Sequence, residues 1–292
     1  MASSKLILGT VQFGLDYGIN NLNGKPSIEA VYKILECARK NKVLILDTAE
    51  AYGDSQERIG MYHEKYTHVF KVITKFSPLR IDLPSDIIDR VKLNLKTLNT
   101  EFLYSYMFHS YKDYEKYYPF YKDQILELVG QGLIRKIGVS LHSNDEIEQV
   151  LENKNIELIQ LPFNLLDNDS LRGEVLKKAK NKGVEVHTRS VFLQGLFFKS
   201  MDKLEGHVKV LKPYLNQLNE ILDSGVKTTE LALNYVCEKE YIDNVLIGVD
   251  SEIQLKSNIV DLINKPLDEV LNLVDNVNVK EKEMLNPANW NS

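Results

Sequence analysis

Residues 43–60 read VLILDTAEAYGDSQERIG. An apolar run of β-forming residues ends on a carboxylate, Asp47, and a tyrosine, Tyr52, follows five positions later. A short apolar run closed by polar turn residues reads as a buried strand. The same pattern recurs at KLILGT (5–10), VFKVITK (69–75), LYSYMFH (103–109), IRKIGVS (134–140), LIQLPFN (158–164), EVHTRSV (185–191) and NVLIGV (244–249), which makes eight strands. Between them lie segments of helical period at 27–42, 84–98, 114–131, 144–152, 168–182, 228–240 and 251–262. The first shows the logic, with Ser27 placed to cap and Ala30, Val31, Ile34, Leu35 and Ala38 forming one apolar stripe.

Eight strands alternating with helices, without a Pro/Gly/Ser-rich linker, predict an α/β fold: a (β/α)8 TIM barrel as a single domain over 1–292. The tail, about 265–292, is expected to pack on the barrel. A doubly wound sheet would bring a G-x-G-x-x-G turn after its first strand, and LGTVQFG lacks that spacing. The chain starts almost at its first strand, so the tail is the expected cover for the barrel floor.

Composition narrows the function. The 292 residues carry a net charge of −5 and no long basic run, which argues against nucleic acid as a partner. No 18-residue apolar stretch and no signal-like start occur, so a cytoplasmic protein without a membrane span is expected. Cys37 and Cys237 sit in helical patterns and read as buried thiols; the six histidines show no metal-ligand spacing.

Barrel chemistry sits at the carboxyl ends of the strands. By that rule Asp47, Lys75, His109 and Ser140 end strands two to five, and Tyr52 lies in the loop after strand two. Lys71 shares Lys75's face but lies about 13 Å nearer the amino end at roughly 3.3 Å per residue. Singly, each has a bland reading: Asp47 as a cap, Tyr52 as packing, Lys75 as surface charge, His109 as a satisfied rim histidine. Together they supply an acid, a phenol, an amine and an imidazole at one rim. An ammonium near a phenol lowers its pKa, so Lys75 is expected to acidify Tyr52 while Asp47 holds the amine and His109 orients a polarised oxygen.

LDTAEAYGDSQERIG, VITKF, FHS, IGVS, LPFN and NVLIGVDSEIQLKSN, in this order, resemble the aldo-keto reductases over nearly the whole chain. The resemblance implies Asp47, Tyr52, Lys75 and His109 as catalytic residues, Tyr52 being the proton donor in reduction of an aldehyde or ketone. It also implies a nicotinamide cofactor across the rim: NADPH, with NADH as the alternative. Ser140 and Gln160 would hold the carboxamide, with Leu141 where an asparagine is common and Asn164 as a substitute. Arg189 stands where many members stack a tyrosine on the nicotinamide. Ser190, Leu193 and Gly195 would line the pyrophosphate, and Gly248, Ser251, Gln254 and Asn258 the adenosine end. Gln254 replaces the arginine expected for the NADPH phosphate, and Asp250 lies close by; Lys256 and Ser251 would have to compensate.

The loop after His109 passes quickly into a helix, which implies an open pocket ringed by Asp16, Tyr17 and Tyr111, with Trp290 if the tail reaches the rim. Rings and oxygens together suit a small-molecule carbonyl substrate of the sugar or nucleotide-sugar kind. Two other classes stay open: a lyase or aldolase with Lys75 as Schiff-base amine, and a nicotinamide-binding regulatory protein without turnover.

Overall fold

In the computed structural model, which describes residues 2–17, 24–67 and 70–290, the strands are β1 (Leu6–Gly9), β2 (Ile45–Asp47), β3 (Lys71–Phe76), β4 (Ser105–Phe108), β5 (Ile137–Ser140), β6 (Leu158–Pro162), β7 (Glu185–Arg189) and β8 (Asn244–Gly248). Each pairs in parallel with its neighbours, and β1 pairs with β8, so the sheet closes into the expected (β/α)8 barrel. The helices are α1 (Val11–Gly14), α2 (Ile28–Lys40), α3 (Ser55–Tyr66), α4 (Ile87–Thr97), α5 (Tyr111–Gly130), α6 (Asn144–Val150), α7 (Asp169–Asn181), α8 (Lys212–Leu222), α9 (Thr228–Cys237), α10 (Glu252–Ile263) and α11 (Asp268–Leu273). On α2 the Ser27 hydroxyl accepts from the Ala30 N–H at 3.2 Å, and Val31, Ile34, Leu35 and Ala38 are buried. Both cysteines are buried free thiols.

Strand alternation stacks the barrel interior in layers. Ile7, Ile73, Met107 and Leu158 form an apolar belt across its middle, with Ile45 and Leu246 against it. Above the belt lie the carboxyl ends of the strands, including Asp47, Lys75, Ser140 and Gln160. Below it, polar side chains plug the floor, a role the sequence reading gave to the tail. The Tyr104 hydroxyl donates to both Glu185 oxygens at 2.8 and 2.9 Å, and Lys136 and His187 also contact that carboxylate. Lys71 lies over the Tyr104 ring, 5.3 Å from its centroid, on this same side of the belt.

The tail goes elsewhere because its apolar residues match the outside of α7 and α9. Asn168 donates to the carbonyls of Val274 and Val277 at 2.9 and 2.8 Å, and Asp275 pairs with Lys239 at 3.2 Å. Trp290 is buried and donates to the Met284 carbonyl at 2.8 Å, so it anchors the tail and lines neither cavity of the strand-end trough described below.

The floor plug makes a pH prediction. Burial works to raise the Glu185 pKa, but donors from His187, Lys136 and Tyr104 outweigh it and hold the carboxyl at about 2, below its ordinary 4.5. A depressed folded-state pKa contributes stability above the unfolded value and loses it as pH falls through the folded one. Part of the acid limb, from about pH 5 to about pH 2, should therefore belong to Glu185. In Glu185→Gln, denaturation midpoints followed against pH should lose that slope, and a parallel limb in the two proteins would contradict the assignment.

Candidate active site

Asp47 ends β2 with only 2 % of its surface exposed, and its backbone is fixed by β1: the Thr10 N–H and hydroxyl both donate to the Asp47 carbonyl at 3.0 Å. Its carboxylate is braced from two strands. The Lys75 ammonium contacts one oxygen and the Gln160 amide donates to the other at 2.8 Å. Lys75 also donates to the Thr48 carbonyl at 3.3 Å and lies 5.5 Å from the centre of the Tyr52 ring. His109, just past β4, stands edge-on to Tyr52 with ring centroids 5.7 Å apart and planes at 75°.

The loop that carries Tyr52 is clamped on two sides. On one, Gly14 and Gly53 let two backbones touch: a Cβ on Gly14 would lie 1.8 Å from the Tyr52 carbonyl oxygen, and one on Gly53, at φ +54°, 2.4 Å from the Gly14 oxygen. On the other, Glu50 reaches behind the rim. Its buried carboxylate accepts from the Ser77 N–H at 2.9 Å and from Arg90, Asn94 and the Tyr106 hydroxyl, each at 2.8 Å. Nothing in the sequence reading pointed to Glu50, since a loop glutamate resembles surface charge. The signal available was an arginine, Arg90, on the inner face of α4.

Electrostatics here differ from the sequence expectation. The Tyr52 pKa is raised: burial acts first and the Asp47 charge second, with Arg189 opposing. Lys75 does not acidify it because its amine is spent on Asp47, and among the described residues the Tyr52 hydroxyl has no hydrogen-bond partner. Burial pulls the Lys75 amine down against the opposing pull of Asp47. Burial, and then the Lys75 charge, bring His109 to about 4, so at neutral pH its ring is neutral beside a protonated phenol.

These groups line a cavity of about 340 Å³ together with Val11, Tyr17, Ser140, His142, Arg189 and Ser190. A second cavity, of about 170 Å³, shares Tyr17, Ser190 and Leu246 with it and runs out between β7 and β8 past Gln12, Gly195, Gly248, Asp250 and Gln254. The two form one trough across the strand ends. Its outer wall includes Gln194 (φ 52°) and Gly195 (φ 90°), which with Leu193 (φ 44°) form three successive left-handed residues.

Of the other residues named from the sequence, Gln254 lines the outer cavity, and Tyr111, Asp16, Asn164, Leu193, Ser251, Asn258 and Lys256 line neither. Tyr111 bonds to Gln149 on the outer face of α5, and the Asp16 carboxylate accepts the Lys25 N–H at 2.6 Å. Asn164 is fully buried, uses its carbonyl to hold the Leu166 and Asp167 N–H groups and lines neither cavity, and its amide nitrogen has no partner among the described residues. Leu193 is buried and lines neither cavity; Ser251 caps α10 by accepting the Gln254 N–H at 3.2 Å; Asn258 is buried within α10. Gln254 accepts the Asp250 N–H at 2.7 Å, and Lys256 pairs with Glu252 at 2.6 Å, on the side of α10 that faces α2.

The trough fits an elongated polar ligand. Among the described residues Gln12 Oε1 and Asp250 Oδ1 are buried without a partner beside the outer cavity, and a Cβ on Gly248 would lie 2.6 Å from the Gln12 amide nitrogen. The two spare acceptors match a ribose-bearing cofactor, and Gly248 leaves the room that the Gln12 side chain occupies beside them. A parallel barrel with an acid, a phenol, an amine and an imidazole at one end of such a trough defines a cofactor-using barrel oxidoreductase. The profile of the Aldo/keto reductase family matches residues 5–278, and the chain belongs to that family. It is an NAD(P)-dependent oxidoreductase acting on carbonyl groups.

Among its relatives, Aldo-keto reductase YhdN of Bacillus subtilis is 26 % identical over 264 residues, covering 80 % of this chain and 77 % of its own. NADH-specific methylglyoxal reductase of Escherichia coli is 22 % identical over 200 residues, covering 61 % and 60 %. The holo form of the aldo-keto reductase AKR11C1 from Bacillus halodurans superposes with a TM-score of 0.77 at 21 % identity, over 95 % of this chain and 94 % of that one. Among the described residues no helix is long and apolar enough to cross a membrane.

Proposed function

We propose that the chain, acting as one catalytic domain, reduces the aldehyde or ketone of a hydroxylated small molecule, with Tyr52 as proton donor. The observation that carries this reading is the cavity-lining, protonated Tyr52 phenol beside the Lys75–Asp47 pair and a neutral His109. A bound reduced nicotinamide supplies the hydride for the carbonyl carbon. Tyr52 gives its proton to the carbonyl oxygen, His109 donates to that oxygen as charge builds, and Arg189, the charge that opposes the rise in the Tyr52 pKa, favours the phenolate left behind, while Asp47 holds Lys75 beside the ring. Ser140 and Arg189 would hold the nicotinamide end, and Gly195, Gly248 and Asp250 the outer end. The Lys75–Asp47 contact also weighs against the Schiff-base reading, because the carboxylate opposes loss of the amine's proton.

The same trough bears on the choice of nicotinamide. Its outer cavity is lined by Asp250 and by no lysine or arginine among the described residues, and Lys256 is paired on the other side of α10. A carboxylate repels a 2′-phosphate and accepts from a free ribose diol. The Escherichia coli relative is named as NADH-specific. Both nicotinamides should therefore bind, with dissociation constants within about tenfold of each other, or about 1.4 kcal/mol. Fluorescence quenching of the protein by each measures this, and a gap of several hundredfold would defeat it. Turnover is tested by loss of reduced-nicotinamide absorbance over methylglyoxal, glyceraldehyde and sugar aldehydes. If nicotinamide binds and no carbonyl is consumed, the regulatory reading replaces the reductase.

A further inference from the structure

A third cavity, of about 500 Å³, lies on the same end of the barrel between the loops after β5 and β6 and the tail. His142 lines both this cavity and the one that holds Tyr52, so the two meet at that side chain. Arg189 marks the junction, with Nη2 3.0 Å from His142 Nε2 and 3.4 Å from the Leu141 carbonyl.

The floor of this cavity is rigid and its walls are chemically open. Arg172 makes a two-pronged contact with Asp167 at 2.6 and 2.9 Å and also donates to Asn144 and to the His142 carbonyl, each at 2.7 Å. Both members of that ion pair are at least nine-tenths buried, and their charges cancel. Above them, the Asp145 and Glu283 carboxylates, the Lys282 ammonium and the Asn286 amide nitrogen have no protein partner among the described residues. Asp145, Lys282 and Glu283 are exposed residues at the rim of this space and Asn286 is half-buried, so two carboxylates, an ammonium and an amide border it beside Pro162, Leu171 and Leu285.

We infer that this cavity is a second binding site, which takes the far, neutral, polyhydroxylated end of a substrate whose carbonyl lies at Tyr52. The inference rests on the function proposed above. Hydroxyl groups both donate and accept, and so satisfy carboxylates and amines together. A phosphate or carboxylate would meet Asp145 and Glu283 with only Lys282 unpaired to balance them. An apolar chain would take water from the near side of these polar groups and give them no hydrogen bond in return. A sugar ring offers hydroxyls to the rim and C–H faces to the Leu171–Leu285 patch.

The probes are maltose, whose second ring reaches beyond the first cavity, and methylglyoxal, which is too short to do so. In the double variant Glu283→Ala/Asn286→Ala, the ratio of kcat/KM for maltose to that for methylglyoxal should fall about tenfold, through KM. Asn286→Trp, which fills the cavity instead of stripping it, should lower the same ratio. Maltitol, which has no carbonyl, should inhibit methylglyoxal reduction competitively in the parent and about tenfold less tightly in either variant. A parent that reduces methylglyoxal with the ratio unmoved in both variants and no inhibition by maltitol overturns this site and leaves the reductase reading intact. A parent that reduces methylglyoxal and not maltose also overturns the site alone, and one that consumes no carbonyl of the panel above brings down the reductase reading and the site with it.

Discussion

Tyr52→Phe should lower kcat for every carbonyl the parent reduces by about 10²–10⁴-fold, the usual worth of a positioned proton donor. The change removes one oxygen from a side chain that has no hydrogen-bond partner among the described residues, so the fold has little to lose. Nicotinamide binding and the denaturation midpoint should stay close to the parent's. That pattern separates a chemical role from a structural one: loss of turnover together with loss of cofactor binding would make Tyr52 a wall of the pocket, and full turnover would remove it from the reaction. The pH profile gives a second reading. With His109 near 4 and the phenol raised, neither group titrates between pH 5 and 8, so kcat/KM in the parent should show no step from them there.

The largest effect on stability is expected at Glu50. Glu50→Ala strips the Arg90 guanidinium of its buried partner and leaves the Tyr106 hydroxyl and the Ser77 N–H without an acceptor. Breaking a buried pair from one side costs about 3–5 kcal/mol, because the remaining charge stays desolvated. Urea unfolding should show a loss of that size, while Glu50→Gln, which keeps two oxygen or nitrogen positions in the same place, should lose clearly less. A loss under about 1 kcal/mol for Glu50→Ala would mean that Arg90 finds water or another acceptor.

The barrel was legible because each strand is a short apolar run and each run ends at the same rim. Counting strand ends is enough to bring Asp47, Lys75 and His109 to one cavity. What failed depends on directions that strand counting does not carry. The helix over Ser55–Tyr66 was missed because its sequence, SQERIGMYHEKY, is polar, and the face made by Ile59 and Tyr62 is too narrow to stand out. Tyr111 follows the rim in sequence, but the helical turn it starts points its hydroxyl to Gln149 on the outside. The charge balance at Tyr52 was misjudged because the reading counted the Lys75 charge twice, once for Asp47 and once for the phenol. Burial, the dominant effect on both groups, has no signature in a single sequence.

The belt of Ile7, Ile73, Met107 and Leu158 acts as insulation. It separates the ionised floor from the ionised rim within one small barrel, with no polar side chain of its own to pass a proton or rearrange a hydrogen bond between them. The protein therefore has two independent dials. Charge substitutions around Glu185 can be used to reset acid tolerance without retuning the phenol, and substitutions around Tyr52 can be screened for new substrates without weakening the base of the barrel.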